Sequence, residues 1–203
     1  MNLRSVRNSA VAMLLALPLF AQAFTFEFFD FDETRSVAAN PLASAMTGTV
    51  LHNVKESCLG SKCGPPRHRS PFEETSLYGI AEYSSVSANS SATYNITGDA
   101  IKLLWGSPDR YNYIDFFNAE GGQIGTVDGT QIEKPPSGRG LVDVTIFSDE
   151  TFARFTLRSE NSDAFEYAGL SVVPLPAAAW LFGSALLALA GFNSRKRKVR
   201  IAR

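Results

Sequence analysis

Leu141-Val-Asp-Val-Thr-Ile-Phe147 and the following Thr151-Phe-Ala-Arg-Phe-Thr-Leu157 are the stretches that decide the fold class. In both stretches apolar residues alternate with polar ones, which is the two-residue period of a β-strand with one buried face. Ser148-Asp149-Glu150 lies between them, and such a polar run is typical of a turn. The sequence therefore predicts two consecutive strands joined by a turn, each with one dry face.

The rest of the stretch from Phe24 to Val172 has the same character. Short β-branched or aromatic runs alternate with clusters of Gly, Pro, Asn, Asp and Ser, without a convincing helical period. Regular turns, such as Glu120-Gly121-Gly122 and Asp128-Gly129, predict an all-β, antiparallel two-sheet sandwich of the jelly-roll or lectin-like kind. The further predicted strands span residues 24–31, 77–86, 92–97, 100–105, 111–117, 123–127 and 164–172.

Charge is distributed unevenly along the 203 residues. All 20 acidic residues lie between Glu27 and Glu166, and that interval contains 11 of the 19 basic residues, which gives it a net charge of −9. Nucleic-acid binding depends on Lys and Arg side chains that neutralise phosphates, so this charge argues against a nucleic-acid partner. The other basic residues lie near the two ends of the chain.

The N-terminal segment, residues 1–23, has the three parts of a secretory signal peptide. Arg4 and Arg7 precede an apolar run over residues 10–20, and Ala21-Gln22-Ala23 gives the small-x-small pattern that signal peptidase cuts. The apolar run is about half of the roughly 20 residues that span a bilayer, which disfavours the alternative of a permanent N-terminal anchor. We predict export by the Sec machinery, cleavage after Ala23 and folding outside the cytoplasm.

The C-terminal segment, residues 172–203, combines an apolar run with a basic tail. Residues 172–192 carry no charge and, at about 1.5 Å per residue, just span a hydrocarbon core of roughly 30 Å, while the basic residues 195–198 are expected to stay cytoplasmic. One interpretation is a permanent anchor. The other comes from the motif Val173, Pro174, Leu175, Pro176, Ala177, because two prolines that bracket one residue hold an extended stub that a protease can reach.

The order of Val-Pro-Leu-Pro-Ala motif, apolar helix and basic cluster resembles the PEP-CTERM sorting signal of bacterial exosortase substrates, with Leu175 in place of the Glu of the commonest form. The resemblance implies a Gram-negative bacterium, an inner-membrane intermediate, removal of the tail by exosortase, and release or attachment at the cell surface. Leu104-Trp-Gly-Ser-Pro-Asp-Arg-Tyr-Asn112 and Ala164-Phe-Glu-Tyr167 are similar to segments of exosortase-dependent surface proteins. This similarity implies an exported lectin-like sandwich without established chemistry. Exosortase systems as a family accompany exopolysaccharide production, which implies exopolysaccharide as a partner.

Residues 53–74 interrupt the strand pattern and predict a long surface loop. Cys58 and Cys63 lie within it with four residues between them, and the oxidising compartment of an exported chain favours a local disulfide. One alternative is a zinc site completed by His52 and His68, although the spacing lacks the usual C-x2-C knuckle. The other is a pair of free thiols.

Enzymatic chemistry has weak support in the sequence. The two histidines border the irregular loop and no Gly-x-Ser-x-Gly elbow occurs in the predicted mature domain, so a hydrolase triad is not predicted. Glu82, Asp115 and Glu166 lie in strand-like runs. They could supply a glycosidase carboxylate pair, or they are ordinary solvated carboxylates of a sheet face.

Two clusters could bind ligands. The first, Asp30, Asp32 and Glu33, offers oxygen ligands for a structural calcium ion, although no Asp-x-Asp-x-Asp-Gly loop is present, and no other cofactor is predicted. The second surrounds the loop Gly106-Ser-Pro-Asp109, where aromatic faces beside Asp and Asn groups suit stacking and hydrogen bonding to sugar rings. Core packing is the alternative for its rings. The candidate glycan contacts are Trp105, Asp109, Tyr111 and Tyr113.

The sequence thus predicts three segments: a signal peptide (1–23), an exported β-sandwich domain (24–171) and a sorting signal (172–203). The predicted function is that of a non-enzymatic cell-surface or extracellular-matrix protein, associated with exopolysaccharide in a biofilm. A secreted glycan-active enzyme and a permanently tail-anchored envelope protein are the alternatives.

Overall fold

A computed structural model describes residues 24–59, 66–132 and 141–173. Within these residues the chain forms eleven β-strands and no helix, which confirms the predicted all-β class. The strands are β1 (Phe24–Phe29), β2 (Ala45–Thr47), β3 (Val50–Val54), β4 (Tyr83–Val86), β5 (Ser90–Tyr94), β6 (Gly98–Gly106), β7 (Asn112–Phe117), β8 (Gln123–Asp128), β9 (Leu141–Phe152), β10 (Arg154–Ser159) and β11 (Phe165–Val173).

The strands form two antiparallel sheets that pack face to face. The six-stranded sheet has the order β1-β9-β6-β11-β4-β3, and the five-stranded sheet has the order β2-β5-β10-β7-β8. The predicted Gly-Gly turn joins β7 to β8, and Gly121 there has a φ of 84°, a conformation that favours glycine. The predicted antiparallel two-sheet sandwich is therefore confirmed.

The main core lies between the two sheets and is rich in aromatic rings. Trp105 of β6 has no exposed surface and stacks on Phe165 of β11, with 4.4 Å between ring centroids. Tyr94 and Tyr167 come from different sheets and meet hydroxyl to hydroxyl at 2.6 Å, so these polar atoms are satisfied inside the core. Other buried members of this core include Ile101, Leu103, Ile114, Phe116, Val144, Ile146, Phe152, Phe155 and Leu157.

A second, smaller core covers the outer face of the six-stranded sheet. Phe72, Ala81 and Tyr83 pack there on Leu104 of β6 and Ala168 of β11. Partly buried residues of the segment that follows β1, Phe31 and Val37, complete this cover. The outer face of this sheet is therefore a packed layer, although alternation alone would make it a solvent-facing surface.

Asn40 joins the cover to the sheet by hydrogen bonds inside the protein. Its Nδ2 donates to Ser84 Oγ at 2.9 Å and to the Tyr167 carbonyl at 3.0 Å, and its Oδ1 accepts from the Leu170 amide at 2.9 Å. Tyr167 is the neighbour of Ala168, where the register of β11 begins to shift, and Leu170 lies within the shift, between Ala168 and Ser171. Asn40 thus hydrogen-bonds to the backbone of β11 at the place where the ladder is irregular.

The connection between β9 and β10 differs from the predicted hairpin. The strand β9 continues through Ser148-Asp149-Glu150 to Phe152, and β10 belongs to the other sheet. The polar run falls where the pairing of β9 with β6 shifts register, between Phe147 and Phe152, so it marks a bend between sheets and not a turn within one.

Two further differences concern the region before β5. The predicted strand over residues 77–86 is reduced to β4, because residues 77–81 form a turn in which the Ala81 amide donates to the Leu77 carbonyl at 2.9 Å. Gly79, with a φ of 73°, lies in that turn.

The strands β2 and β3 lie in a stretch for which no strand was predicted, and they are short edge strands with little alternation.

Both ends of the described domain lie at one end of the six-stranded sheet. Phe24 pairs with Ser148, and the adjoining Phe147 pairs with Ala100, which also pairs with Val173. Three strand steps of about 4.8 Å put these ends about 14 Å apart. We call this the terminal end of the sandwich. The opposite end, the loop end, carries the connections 87–89, 107–111 and 160–164.

Candidate functional site

The loop between β6 and β7 at the loop end is held by close backbone packing. A Cβ atom on Gly129 would lie 2.2 Å from the Asp109 carbonyl oxygen, so only glycine allows the β8 end to approach the loop this closely. The Tyr111 hydroxyl donates to Asp109 Oδ2 at 2.8 Å and lies 3.3 Å from the Asp163 carbonyl. These contacts fix Tyr111 and Asp109 in one arrangement.

Tyr111 and Tyr113 line one groove, which we call the tyrosine groove; its lining residues are Arg110, Tyr111, Tyr113, Glu160, Asn161 and Ser162. Burial, reinforced by the hydrogen bond to Asp109, raises the pKa of Tyr111 to about 12. The phenol therefore stays protonated near neutral pH. Partly exposed rings beside amide, hydroxyl and charged groups are a surface that can stack on and hydrogen-bond to a sugar.

Trp105 does not belong to this groove, which corrects the prediction that it is a glycan contact. Its ring is fully buried between the sheets, stacked on Phe165 at 4.4 Å, and presents no face to solvent. The physical reason is strand parity, since Ile101, Leu103 and Trp105 alternate along β6 and all three point into the main core. Of the four candidate glycan contacts, Asp109, Tyr111 and Tyr113 remain at the surface.

Arg158 is a residue of this region that sequence reasoning missed. Its guanidinium lies 4.1 Å from the centroid of the Tyr113 ring, its Nε donates to Asp115 Oδ2 at 2.5 Å, and it also pairs with Glu160. Burial acts to lower the pKa of Arg158, but the hydrogen bond and charge of Asp115, with those of Glu160, outweigh it and raise the pKa. The sequence signal that could have identified Arg158 was a basic residue at a solvent-facing position of a strand.

The three candidate glycosidase carboxylates do not meet at one site. Asp115 lies on the outer face of the five-stranded sheet, where it accepts hydrogen bonds from Arg158, Gln123 and Thr126. Glu166 belongs to the six-stranded sheet, on the other side of the main core. Glu82 precedes β4, lies 3.9 Å from the Lys55 ammonium and lines a different cavity from that of Glu166.

Glu166 is a buried carboxyl group at the loop end. It is 8% exposed and lines a cleft, the Glu166 cleft, with Arg69, Ser70, Glu73, Ser107 and Leu141. Its Oε1 accepts the Arg69 backbone amide at 3.2 Å. Burial raises the pKa of Glu166 to about 7, and the nearby charges of Asp109 and Asp163 act in the same direction.

Replacement of Glu166 by glutamine is expected to change how stability depends on pH. An unfolded Glu ionises near its ordinary pKa of 4.5, whereas the folded Glu166 stays protonated up to about pH 7. Between about pH 4.5 and pH 7 the unfolded state therefore binds fewer protons than the folded state. The stability of the wild type falls as pH rises through this range and is lowest above it. At about 1.4 kcal/mol per pKa unit, Glu166→Gln should gain on the order of 3 kcal/mol relative to wild type between pH 4 and pH 8.

Chemical denaturation of both proteins at several pH values measures this gain. Glu120→Gln is the matched control, because it removes a carboxylate from the exposed turn between β7 and β8 without changing a buried group. Parallel stability curves for wild type and Glu166→Gln across the window would contradict the assignment of a protonated, buried Glu166.

Two of the predicted calcium ligands, Asp32 and Glu33, accept hydrogen bonds from other groups of the protein. Asp32 Oδ1 accepts from the Thr34 amide at 2.9 Å and from its hydroxyl at 2.7 Å, and Glu33 Oε2 accepts from the Ser76 amide at 2.8 Å. These hydrogen bonds lower the pKa of both carboxyl groups. In the part of the chain that the structure describes, no group of three or more His, Cys, Asp and Glu side chains is arranged to hold a metal ion.

The cysteine prediction involves a residue outside the described ranges. Cys58 and His68 form an isolated antiparallel bridge, with the Cys58 amide 2.9 Å from the His68 carbonyl. His52 lies instead beside Asn53 and Ser84. Because Cys63 is not among the described residues, the Cys58–Cys63 disulfide and the zinc alternative stay predictions.

The predicted terminal signals also lie almost entirely outside the described residues. Ala21 and Ala23 precede them, and Pro174, Leu175, Pro176 and Ala177 follow them. Val173 is the last residue of β11, so the strand runs two residues past the predicted domain boundary at 171. Across 24–59, 66–132 and 141–173, no helix has the length and apolar character needed to cross a membrane.

Comparison with known proteins identified no relative of this chain. Neither a protein-family model, nor a curated protein, nor a solved structure matches the chain.

Proposed function

We propose that this chain is an exported, exosortase-processed protein of the cell surface or extracellular matrix. In this proposal the β-sandwich is of the lectin-like kind, associates with exopolysaccharide at the tyrosine groove, and catalyses no reaction. Signal peptidase and exosortase are its processing partners, and the inner membrane holds it only as an intermediate.

The observation that supports this proposal most is the placement of the two ends of the domain. Phe24, the residue after the predicted signal-peptide cleavage position, is paired in β1, and Val173, the first residue of the predicted sorting motif, is paired in β11. Both residues lie at the terminal end, and the tyrosine groove lies at the loop end. A domain held to a membrane through either terminal segment would therefore direct the groove away from that membrane.

The chemistry of the groove favours a carbohydrate. The Tyr113 ring is held in place by Arg158, and Tyr111 is held by Asp109, so stacking on these rings costs little side-chain entropy. Glu160, Asn161 and Ser162 provide acceptors and donors beside them. Ordered aromatic faces next to mixed polar groups fit a polyhydroxylated ring better than an apolar or highly charged ligand.

Intact mass of the protein isolated from its own host tests the processing. The expected mature species begins at Phe24 and ends within residues 173–177. Retention of Arg195 to Arg203 in the mature species would exclude exosortase processing and favour a permanently tail-anchored envelope protein. Retention of Met1 to Ala23 would exclude signal-peptide cleavage.

A second candidate function, a secreted glycan-active enzyme, is favoured by the Glu166 cleft. A carboxyl group with a pKa near 7 is the type that can act as a general acid at neutral pH. Incubation of the exported protein with the host exopolysaccharide separates the two candidates. Release of reducing ends by wild type, and its loss in Glu166→Gln, would establish the enzyme; retention on the polysaccharide without release supports the binding protein.

A further inference from the structure

The outer face of the five-stranded sheet has a second aromatic–arginine pair in line with the first. Tyr113, Asp115 and Phe117 alternate along β7, while their neighbours Ile114 and Phe116 are buried in the main core. On the adjoining strand β10, Arg158 lies opposite Tyr113, and Arg154 lies opposite Phe117. The Arg154 guanidinium is 4.3 Å from the centroid of the Phe117 ring.

This outer face carries no packed cover among the described residues. The described residues form two clusters of buried apolar side chains, one between the sheets and one on the outer face of the six-stranded sheet. Side chains of the five-stranded sheet's outer face bond to one another, as Thr126 to Asp115 at 2.7 Å and Thr93 to Thr156 at 2.9 Å. The Tyr113 and Phe117 rings are partly exposed, and each is held in place by its arginine.

From these observations we infer that the tyrosine groove continues down β7 to Phe117 as one binding track for an extended, uncharged polysaccharide chain. The inference rests on the proposed function and specifies its ligand. At about 3.3 Å per residue, Tyr113 and Phe117 are about 13 Å apart along the strand. This distance exceeds the size of one sugar ring, so a ligand that contacts both rings is a chain of several sugars.

The charges of the track favour an uncharged chain. With the tyrosine groove included, its cationic side chains are Arg110, Arg154 and Arg158, and its carboxylates are Asp115, Asp128 and Glu160, so the two signs balance. Arg158 is paired with Asp115, so one positive and one negative charge are compensated within the protein. Opposite the arginines, Asp128 lies beside Tyr113 and Gln123 lies beside Phe117 in the pairing with β8. Each ring therefore has a cation on one side and a hydrogen-bonding group on the other, as a hydroxyl-rich ligand requires.

Affinity for host exopolysaccharide fragments of graded length tests the inference, with the exported protein isolated from its host. Wild-type affinity should increase with fragment length until the fragment reaches from Tyr113 to Phe117. The variant Phe117→Ala should lose affinity for long fragments by on the order of 10-fold and bind short fragments as wild type does. Phe117→Tyr keeps a ring at this position and should bind like wild type.

Two further variants keep the experiment decisive. Arg154→Gln removes the guanidinium from the Phe117 ring without emptying a core position, and it should show the same length-dependent loss of affinity. It therefore tests the track even when Phe117→Ala is poorly folded. Tyr78→Ala removes a 41% exposed aromatic ring from a different surface, in the turn before β4, and should bind all fragments like wild type.

Each result bears on one of the two proposals. Length-dependent loss in Phe117→Ala or Arg154→Gln supports the track. Unchanged binding in both variants, with loss in Tyr113→Ala, overturns the track and leaves the tyrosine groove as the whole glycan site. Equal loss on short and long fragments also overturns it. If wild type binds no fragment, the proposed glycan association itself fails. Sedimentation without polysaccharide would then show whether the protein associates through this face with itself or with another protein.

Discussion

Replacement of Trp105 by alanine is expected to lower the free energy of unfolding by about 3–5 kcal/mol, the cost of removing a large buried aromatic side chain. The ring has no exposed surface and stacks on Phe165 at 4.4 Å between the two sheets. A loss of this size is comparable to the whole stability of many domains of this length. Urea denaturation monitored by far-UV circular dichroism measures it.

Trp105→Phe is the matched variant. Among the described residues the buried Trp105 Nε1 has no hydrogen-bond partner, so phenylalanine removes an unsatisfied donor while it keeps a ring against Phe165. We expect Trp105→Phe to cost clearly less than Trp105→Ala, because phenylalanine keeps one ring in the core and leaves a smaller cavity. A small effect of Trp105→Ala, with loss of polysaccharide binding and an intact fold, would instead show that Trp105 acts at a ligand site.

Replacement of Asn40 by alanine is expected to destabilise the protein by about 2–4 kcal/mol. Asn40 is 4% exposed, and its side chain hydrogen-bonds to the Tyr167 carbonyl and to the amide of Leu170, which lies within the register shift in β11. Alanine removes both hydrogen bonds, and a buried group that is left unsatisfied costs about 1–3 kcal/mol. The midpoint of urea denaturation, with the slope checked for constancy, measures the change.

Asn95→Ala is the control for this experiment, because Asn95 is exposed in the connection between β5 and β6. Surface substitutions of this kind usually stay within about 0.5 kcal/mol. If Asn40→Ala were as mild as Asn95→Ala, the cover over the six-stranded sheet would be held by its apolar contacts alone, and the assigned role of the Asn40 hydrogen bonds would be wrong.

The sequence predicted the strands far better than their partners. Alternation is a local property, so β6, β7 and β10 follow from the residues that form them. Pairing is a long-range property, and nothing within residues 141–157 distinguishes a hairpin from a strand that bends into the other sheet. The Ser148-Asp149-Glu150 run is equally compatible with a turn and with a register shift, which is why the hairpin prediction failed.

The candidate site was predicted in part. Tyr111, Tyr113 and Asp109 were named because they surround a loop; Asp109 and Tyr111 are partly exposed in that loop, and Tyr113 is partly exposed on the outer face of β7. Trp105 was placed with them by closeness in sequence, although its shared parity with Leu103 indicated the core. Arg158 and Phe117 could not be joined to Tyr113 from the sequence, because their proximity depends on the pairing of β10 with β7.

The position of β11 has a mechanical consequence. This strand lies inside the six-stranded sheet, between β6 and β4, and its last residue, Val173, is the first residue of the predicted sorting motif. If the protein were tethered through that motif and bound a polymer at the loop end, as proposed, the tension would run along the strands, perpendicular to their hydrogen bonds. The bonds on both sides of β11 would then bear the load together in shear, and would not open one after another like a zipper. A domain loaded in this way would resist being pulled apart by the polymer.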